Sequence, residues 1–255
     1  MRSKPAHERL MFIHYAIGDI HGRDDLLEAM HARIAADRSL RHGDAPAVMV
    51  HLGDYIDRGA CSRDVIDRLM RGVPGFETVS LKGNHEDLML ACLDTDDPDV
   101  WLHWLDNGGD ETVASLGLAF EFGVYDPMAL AKALGAERLG WLTGLKLTHR
   151  VDDYLFVHAG IVPGRPLEEQ VEKDLIWIRR AFLDSDVDHG FRVVHGHTPT
   201  EEPELKSNRI GVDTGATWYG NLTAVVLGEP EGPRFLTVTG KPGRGPSPAR
   251  ITSPE

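Results

Sequence analysis

Two cysteines, Cys61 and Cys92, stand in 255 residues and form no C-x-x-C pair. Such scarcity argues against a disulfide-stapled scaffold and against a thiolate zinc site, and it suits a reducing compartment. Long apolar runs are missing as well. None reaches the roughly 18 residues of a membrane-spanning helix, and the N-terminal segment MRSKPAHERLMFIHYAIGD holds no apolar stretch long enough for a secretory signal. A cytoplasmic protein with no membrane partner is expected. Positive charge is short too: 27 Lys and Arg face 40 Asp and Glu, a formal net charge of −13. A body so acidic repels polyanions, so no nucleic acid is expected as a partner. Bound divalent cations can still make one pocket locally positive, which leaves small phosphorylated ligands compatible.

What is present is ordinary in bulk, with 42% hydrophobic and 26% charged residues. The length suits one large domain, expected over residues 1–239. Short apolar, partly β-branched runs read as buried strands: Phe12 to Ile17, Ala47 to Leu52, Glu77 to Leu81, Tyr154 to Val157 and Arg192 to Val194. The first three are each followed by a Gly-containing polar turn and a helical pattern, such as Leu26, Leu27, Met30 and Ile34. Three further runs, Arg209 to Val212, Leu222 to Leu227 and Phe235 to Thr239, close the chain with strands and little helix. The pattern predicts an α/β (α+β) class with mixed sheets. A helical insertion over about 94–144, carrying Trp101, Trp104 and Trp141 as packing residues, is expected to cover one side. The Pro- and Gly-rich segment 240–255 has little to bury and reads as a disordered tail.

The chemistry gathers where the runs end. Polar motifs follow the first three: Gly18-Asp19-Ile20-His21-Gly22, Gly53-Asp54-Tyr55-Ile56-Asp57-Arg58-Gly59 and Gly83-Asn84-His85-Glu86. Two later runs end in Val157-His158-Ala159-Gly160 and Val194-His195-Gly196-His197-Thr198. Ligands in α/β folds collect beyond the carboxyl ends of strands. Carboxylate, amide oxygen and imidazole without thiolate suit borderline-to-hard divalent ions, and the donors suffice for two. Asp19 and His21, two apart on extended backbone, can share one ion. Asp54, with two oxygens, can bridge a pair about 3.5–4 Å apart. Asn84, His158 and His197 would complete the second.

In this order, GDIHG, GDYIDRG, GNHE, VHAG and HGHT resemble the calcineurin-like metallophosphoesterases, specifically their phosphoprotein phosphatase branch. Within it the chain is most similar to the bacterial and phage serine/threonine protein phosphatases, sharing the Asn107-Gly108-Gly109 loop, Trp177-Ile178-Arg179 and Asp213-Thr214-Gly215-Ala216. The likeness runs from about residue 14 to 227. It implies two mixed β-sheets packed as a sandwich and flanked by helices, with a metal pair at the sandwich edge. It also implies that Asp19, His21 and Asp54 hold one metal, while Asp54, Asn84, His158 and His197 hold the other. Mn²⁺ is the expected ion, and Fe or Zn²⁺ accepts the same donors.

The activity that follows is hydrolysis of phosphate monoesters by a metal-bridging hydroxide, whose pKa coordination brings from ~15.7 toward about 7. Arg58 and Arg179 are the expected clamp on the phosphoryl oxygens, since a guanidinium fork matches two of them at once. Arg180, beside Arg179, is its competitor for that role. His85 is the candidate proton donor to the leaving alkoxide and Asp57 its orienting carboxylate. Asp213 either supports His197 or merely turns the chain. The remaining histidines, including His31, His51 and His195, default to packing or surface. Phosphoproteins, phosphopeptides and small phosphate esters are the expected substrates. A symmetrical diadenosine tetraphosphatase is the nearest rival; Asp57, and Glu86 at the end of the third motif, favour the protein phosphatase. A catalytically weak phospho-ligand binding module is the rival from another class, and would show a missing ligand or acid.

Overall fold

The computed structural model describes residues 12–43, 45–119 and 124–243. Among these residues ten strands form two five-stranded mixed sheets. The first has the order β10 (Arg234–Thr239), β9 (Asn221–Leu227), β1 (Ile13–Ile17), β2 (Ala47–His51), β3 (Glu77–Ser80). Here β1, β2 and β3 are parallel, while β9 and β10 run antiparallel beside β1. The second has the order β4 (Thr148–Val151), β5 (Tyr154–Val157), β6 (Arg192–His195), β8 (Arg209–Gly211), β7 (Glu204–Leu205), with β5, β6 and β8 parallel.

Side chains on a strand alternate between its faces, and here each face meets a different core. Ala16, Val48 and Val50 point between the sheets, where they join Phe156, Val194, Ile210, Val212 and Val225. Their neighbours Tyr15, Ile17 and Met49 point outward, into a core shared with the helices α1 (Asp24–Arg41) and α2 (Ser62–Arg71). Strands covered on both faces carry apolar residues without alternation, which is why the runs are legible as continuous blocks. On the far side of the second sheet, Leu155, Val157 and Val193 pack against α7 (Glu172–Trp177) and α8 (Arg180–Leu183).

The insertion contributes α4 (Pro98–Trp104), a π-helical turn over Leu105–Gly109, α5 (Asp110–Ser115) and α6 (Pro127–Thr143), following α3 (Asn84–Ala91). Its Trp101, Trp104, Val113, Leu130 and Leu134 extend the outer core of the first sheet. Two strands escaped the sequence reading, β4 and β7. Both are sheet edges, one polar in composition and one only two residues long, so neither leaves an apolar block. The start of the expected tail is tied down: Gly240 N–H donates to Gly220 O at 2.8 Å and Gly243 N–H to Thr217 O at 2.6 Å. The rest of the tail, from residue 244, lies outside the described residues. No helix among the described residues is long and apolar enough to cross a membrane.

One pair of histidines is buried inside this frame. His31 on α1 and His51 on β2 meet Nε2 to Nε2 at 3.0 Å, so one ring donates and the other accepts. Burial pushes His31 down to about 4 and His51 down to about 3, each from 6.5. Below pH 6.5 the unfolded chain takes up protons that the folded pair refuses, so the pair's contribution is whole above pH 6.5 and is lost as pH falls toward 4 and then 3. The loss is on the order of a few kcal/mol. Urea melts between pH 7 and pH 4 should show a smaller decline for His31→Phe than for the unsubstituted chain; parallel declines would remove the pair from the acid response.

Candidate metal centre

The parallel strands of both sheets end at one rim. Asp19 follows β1, Asp54 follows β2, Asn84 opens α3 after β3, His158 follows β5, His197 follows β6 and Asp213 follows β8. Side chains are aimed from this rim by backbone that L-residues adopt reluctantly. Among the described residues six non-glycines have positive φ, and five of them are here: His21 (48°), Asp54 (53°), Asp57 (72°), Arg58 (66°) and His197 (65°). Left-handed backbone costs roughly 1–3 kcal/mol per residue and persists where surrounding structure over-determines it. Glycines clear the space beside the ligands. A Cβ on Gly83 would collide with Asp54 Oδ1, and one on Gly196 with Asp19 Oδ1.

Two groups of donors share Asp54. His21, Asp54 and His85 can each bring one ligand atom within 4.8 Å of the others, and so can Asp54, His158 and His197. Asp54 Oδ2 lies 3.6 Å from His21 Nε2 and 3.4 Å from His158 Nε2. Asn84 Oδ1 is 3.0 Å from His158 Nε2, and His197 Nδ1 is 3.2 Å from the same nitrogen. The other nitrogens of the first two rings are committed to the backbone: His21 Nδ1 to Ile56 O at 2.8 Å and His158 Nδ1 to Leu52 O at 2.9 Å. This arrangement orients a ligating imidazole and leaves Nε2 for the site. Asp19 stands slightly aside, both its oxygens accepting the His197 N–H at 3.1 Å. Within that reach the neighbour of His21 and Asp54 is His85, whose Nδ1 is itself committed to Asp57 Oδ2 at 2.6 Å, whereas the expected ligand Asp19 falls outside the group.

The electrostatics show what the site is short of. Burial opposes ionising Asp54, but His158, His85 and His21 around it hold its carboxyl well below the usual carboxylate range. Asp19 goes the other way, pushed well up by burial and by Asp213 opposite it. Burial pushes Asp213 up to about 6 against the opposing Gly215 N–H. Burial likewise works against charge on His158, yet Asp54, Asp19 and Glu86 carry it up to about 9. Three buried carboxylates crowd each other and share too little positive charge. Nitrogen and oxygen donors only, with one carboxylate reached from both groups, fit two divalent cations.

Around this centre lies a supporting layer of which the sequence reading named the Asp57–His85 pair but not what braces it. Asp57 is fully buried, and its carboxylate accepts from Trp104 Nε1 at 3.0 Å, from Thr112 Oγ1 at 2.6 Å and from His85 Nδ1 at 2.6 Å. Trp104 was expected only to pack; it donates to the site, so the insertion braces the Asp57–His85 pair as well as covering the core. Glu86 gathers the second and third motifs, accepting from the backbone N–H of Asp54 (2.9 Å), Tyr55 (2.7 Å) and Gly83 (2.9 Å). Its place three residues after Gly83 was the signal available, since a carboxylate there reaches back to the N-terminus of the helix it opens.

Arg58 Nη1 donates to His21 Nε2 at 2.7 Å, and its backbone N–H donates to Gly108 O at 3.0 Å, which gives the Asn107-Gly108-Gly109 loop its use. Arg179 lies outside any helix. The chain breaks between α7 and α8, and Arg179 takes φ −129°, ψ −100° at the break. Burial lowers its guanidinium pKa although the residue keeps solvent contact, and Asp54, Asp213 and Asp19 face it. Asp213 accepts from Gly215 N–H at 3.0 Å, turning the chain while facing Asp19. His195 packs edge-on against Phe182 at 5.2 Å.

With that geometry in place, the comparison with known proteins is direct. Residues 15–229 match the calcineurin-like phosphoesterase family, and the chain belongs to it. It is a metallophosphoesterase, a hydrolase family that uses divalent metals. Among curated relatives, serine/threonine-protein phosphatase 1 of Salmonella typhimurium is 27% identical, over 82% of this chain and 89% of its own. The asymmetrical bis(5'-nucleosyl)-tetraphosphatase PrpE of Anoxybacillus flavithermus is 26% identical, over 86% of this chain and 92% of its own. Among solved structures, a protein provisionally assigned as a diadenosine tetraphosphatase superposes with a TM-score of 0.64 at 20% identity, covering 91% of this chain and 96% of that one. The fold is shared with it.

Two outcomes follow. Metal uptake must displace the proton that His158 holds below about pH 9, so calorimetry of Mn²⁺ binding in buffers of different ionisation enthalpy should register proton release, with affinity rising with pH toward 9. Binding without proton release would contradict the His158 assignment. Replacing Trp104 by Phe removes one donor from Asp57 and should lower turnover roughly five- to tenfold, the worth of about one hydrogen bond, with metal content unchanged.

Proposed function

We propose that this metallophosphoesterase is a serine/threonine protein phosphatase, acting on phosphoproteins, phosphopeptides and small phosphate esters. The observation that carries the reading is the buried Asp57–His85 pair, 2.6 Å between Oδ2 and Nδ1, set beside the donor groups. Its use depends on the leaving group. A serine or threonine alkoxide is strongly basic and departs only if protonated, whereas the terminal phosphate released from a nucleotide anhydride is a weak base. A braced proton donor is worth more to the first reaction than to the second.

The residues divide the work as follows. Asp19, His21 and Asp54 would hold one cation, with Asp19 turning from the His197 N–H to reach it, and Asp54, Asn84, His158 and His197 would hold the other; Mn²⁺ is favoured, and Fe or Zn²⁺ suits the same donors. When bound, the cations supply Lewis acidity toward phosphoryl oxygens and lower the pKa of a coordinated water. Arg58 and Arg179 grip the phosphoryl oxygens and offset the charge that spreads over them in the transition state. Asp57, fixed by Trp104 and Thr112, orients His85 so that Nε2 faces the ester oxygen and hands it a proton.

Two relatives bear directly on substrate choice, one named for phosphoprotein hydrolysis and one for dinucleoside tetraphosphate hydrolysis. Turnover of a phosphopeptide and of a dinucleoside tetraphosphate in the same Mn²⁺ buffer separates the readings: the phosphopeptide should give the higher kcat/KM, and preference for the nucleotide would overturn the choice. Substituting His85→Asn should leave metal content intact and cut turnover by about 10²–10⁴, more for alkyl than for aryl esters. An unchanged rate would take His85 out of the mechanism.

A further inference from the structure

Arg58 is held on both faces of its function. Its backbone is pinned by the Gly108 carbonyl, but its side chain has two anchors of different permanence. The first is His21 Nε2, 2.7 Å from Nη1. Because a guanidinium only donates, that nitrogen must present its lone pair, in keeping with Nδ1 donating to Ile56 O. The same lone pair faces Asp54 and is what His21 has to offer a cation. It cannot serve both, so a chain that gives His21 to a metal withdraws the first anchor from Arg58.

The second anchor survives. The Arg58 guanidinium carbon lies 4.8 Å from the centroid of the Trp218 ring, a cation–π contact. Trp218 stands on the turn between β8 and β9, remote in sequence from the GDYIDRG motif. Its Nε1 is buried and, among the described residues, has no hydrogen-bond partner. With its donor unused, the indole offers Arg58 its face alone. We propose that Trp218 is a positioning residue: its indole face holds the Arg58 guanidinium at the mouth of the site, in the orientation that grips a phosphoryl group. The inference rests on Arg58 being a phosphate clamp, as proposed above, and extends it to the residue that sets the clamp.

The test is the affinity of the Mn²⁺-loaded protein for inorganic phosphate, measured by calorimetry for the unsubstituted chain, R58A, W218A, the double variant and W218F. W218A should weaken phosphate binding roughly 3- to 30-fold, the range of a partly buried cation–π contact. R58A should weaken it at least as much, and the double variant should match R58A alone, because Trp218 has nothing to hold once the guanidinium is gone. W218F should fall between W218A and the unsubstituted chain, and metal stoichiometry should be the same in all. If R58A binds phosphate normally, the clamp reading itself fails. If R58A weakens binding while W218A does not, or the two losses multiply fully, the clamp stands and the role of Trp218 is overturned. Should W218A not fold, the series W218Y and W218F must show affinity declining with the ring's cation–π strength, and a flat series overturns the proposal.

Discussion

Three carboxylates, Asp19, Asp54 and Asp213, are buried within reach of each other's charge, and the rest of the rim is organised to make that tolerable. Burying an ionised carboxylate without compensation is prohibitive, so the group either neutralises or gathers opposite charge. Both responses are visible: Asp19 and Asp213 are pushed upward, while Asp54 stays ionised by drawing His158 into its charged form. A pair of divalent cations satisfies the same demand more completely. The charge deficit at the rim therefore suits the divalent metals that the family uses.

Such a concentration of charge holds its shape only if the backbone beneath is rigid. Of the strands that end at the rim, β1, β2, β5, β6 and β8 are buried along most of their length, so their carboxyl ends cannot shift without disturbing the packed cores around them. Against that stiff platform, left-handed backbone at His21, Asp54, Asp57, Arg58 and His197 is sustainable. The strain re-aims side chains inward over a very short length of chain, which an ordinary turn would not accomplish.

Support comes in from the sides. Trp104 and Thr112 reach Asp57 from the insertion, Glu86 ties the second and third motifs through backbone donors, and Trp218 lies under Arg58. Each touches a residue of the candidate site. Activity should therefore be sensitive to positions well outside the five motifs.

What the sequence by itself determined is the run of elements along the chain: apolar blocks where strands are buried, polar Gly-bounded motifs at their ends, and a donor set without thiolate. These are local properties, since strand burial and ligand chemistry are written within a few residues. Only the tertiary structure decided which donors stand together, with His85 next to His21 and Asp54 while Asp19 leans toward His197, and which residues brace them. Edge strands β4 and β7 pair with neighbouring strands but are too polar or too short to show as apolar blocks, whereas the pairing of Trp104 with Asp57, Trp218 with Arg58 and His31 with His51 depends on partners from 20 to 160 residues away in the chain. Contacts of that span leave no periodicity and no motif, because neither partner is unusual until the fold brings the other to it.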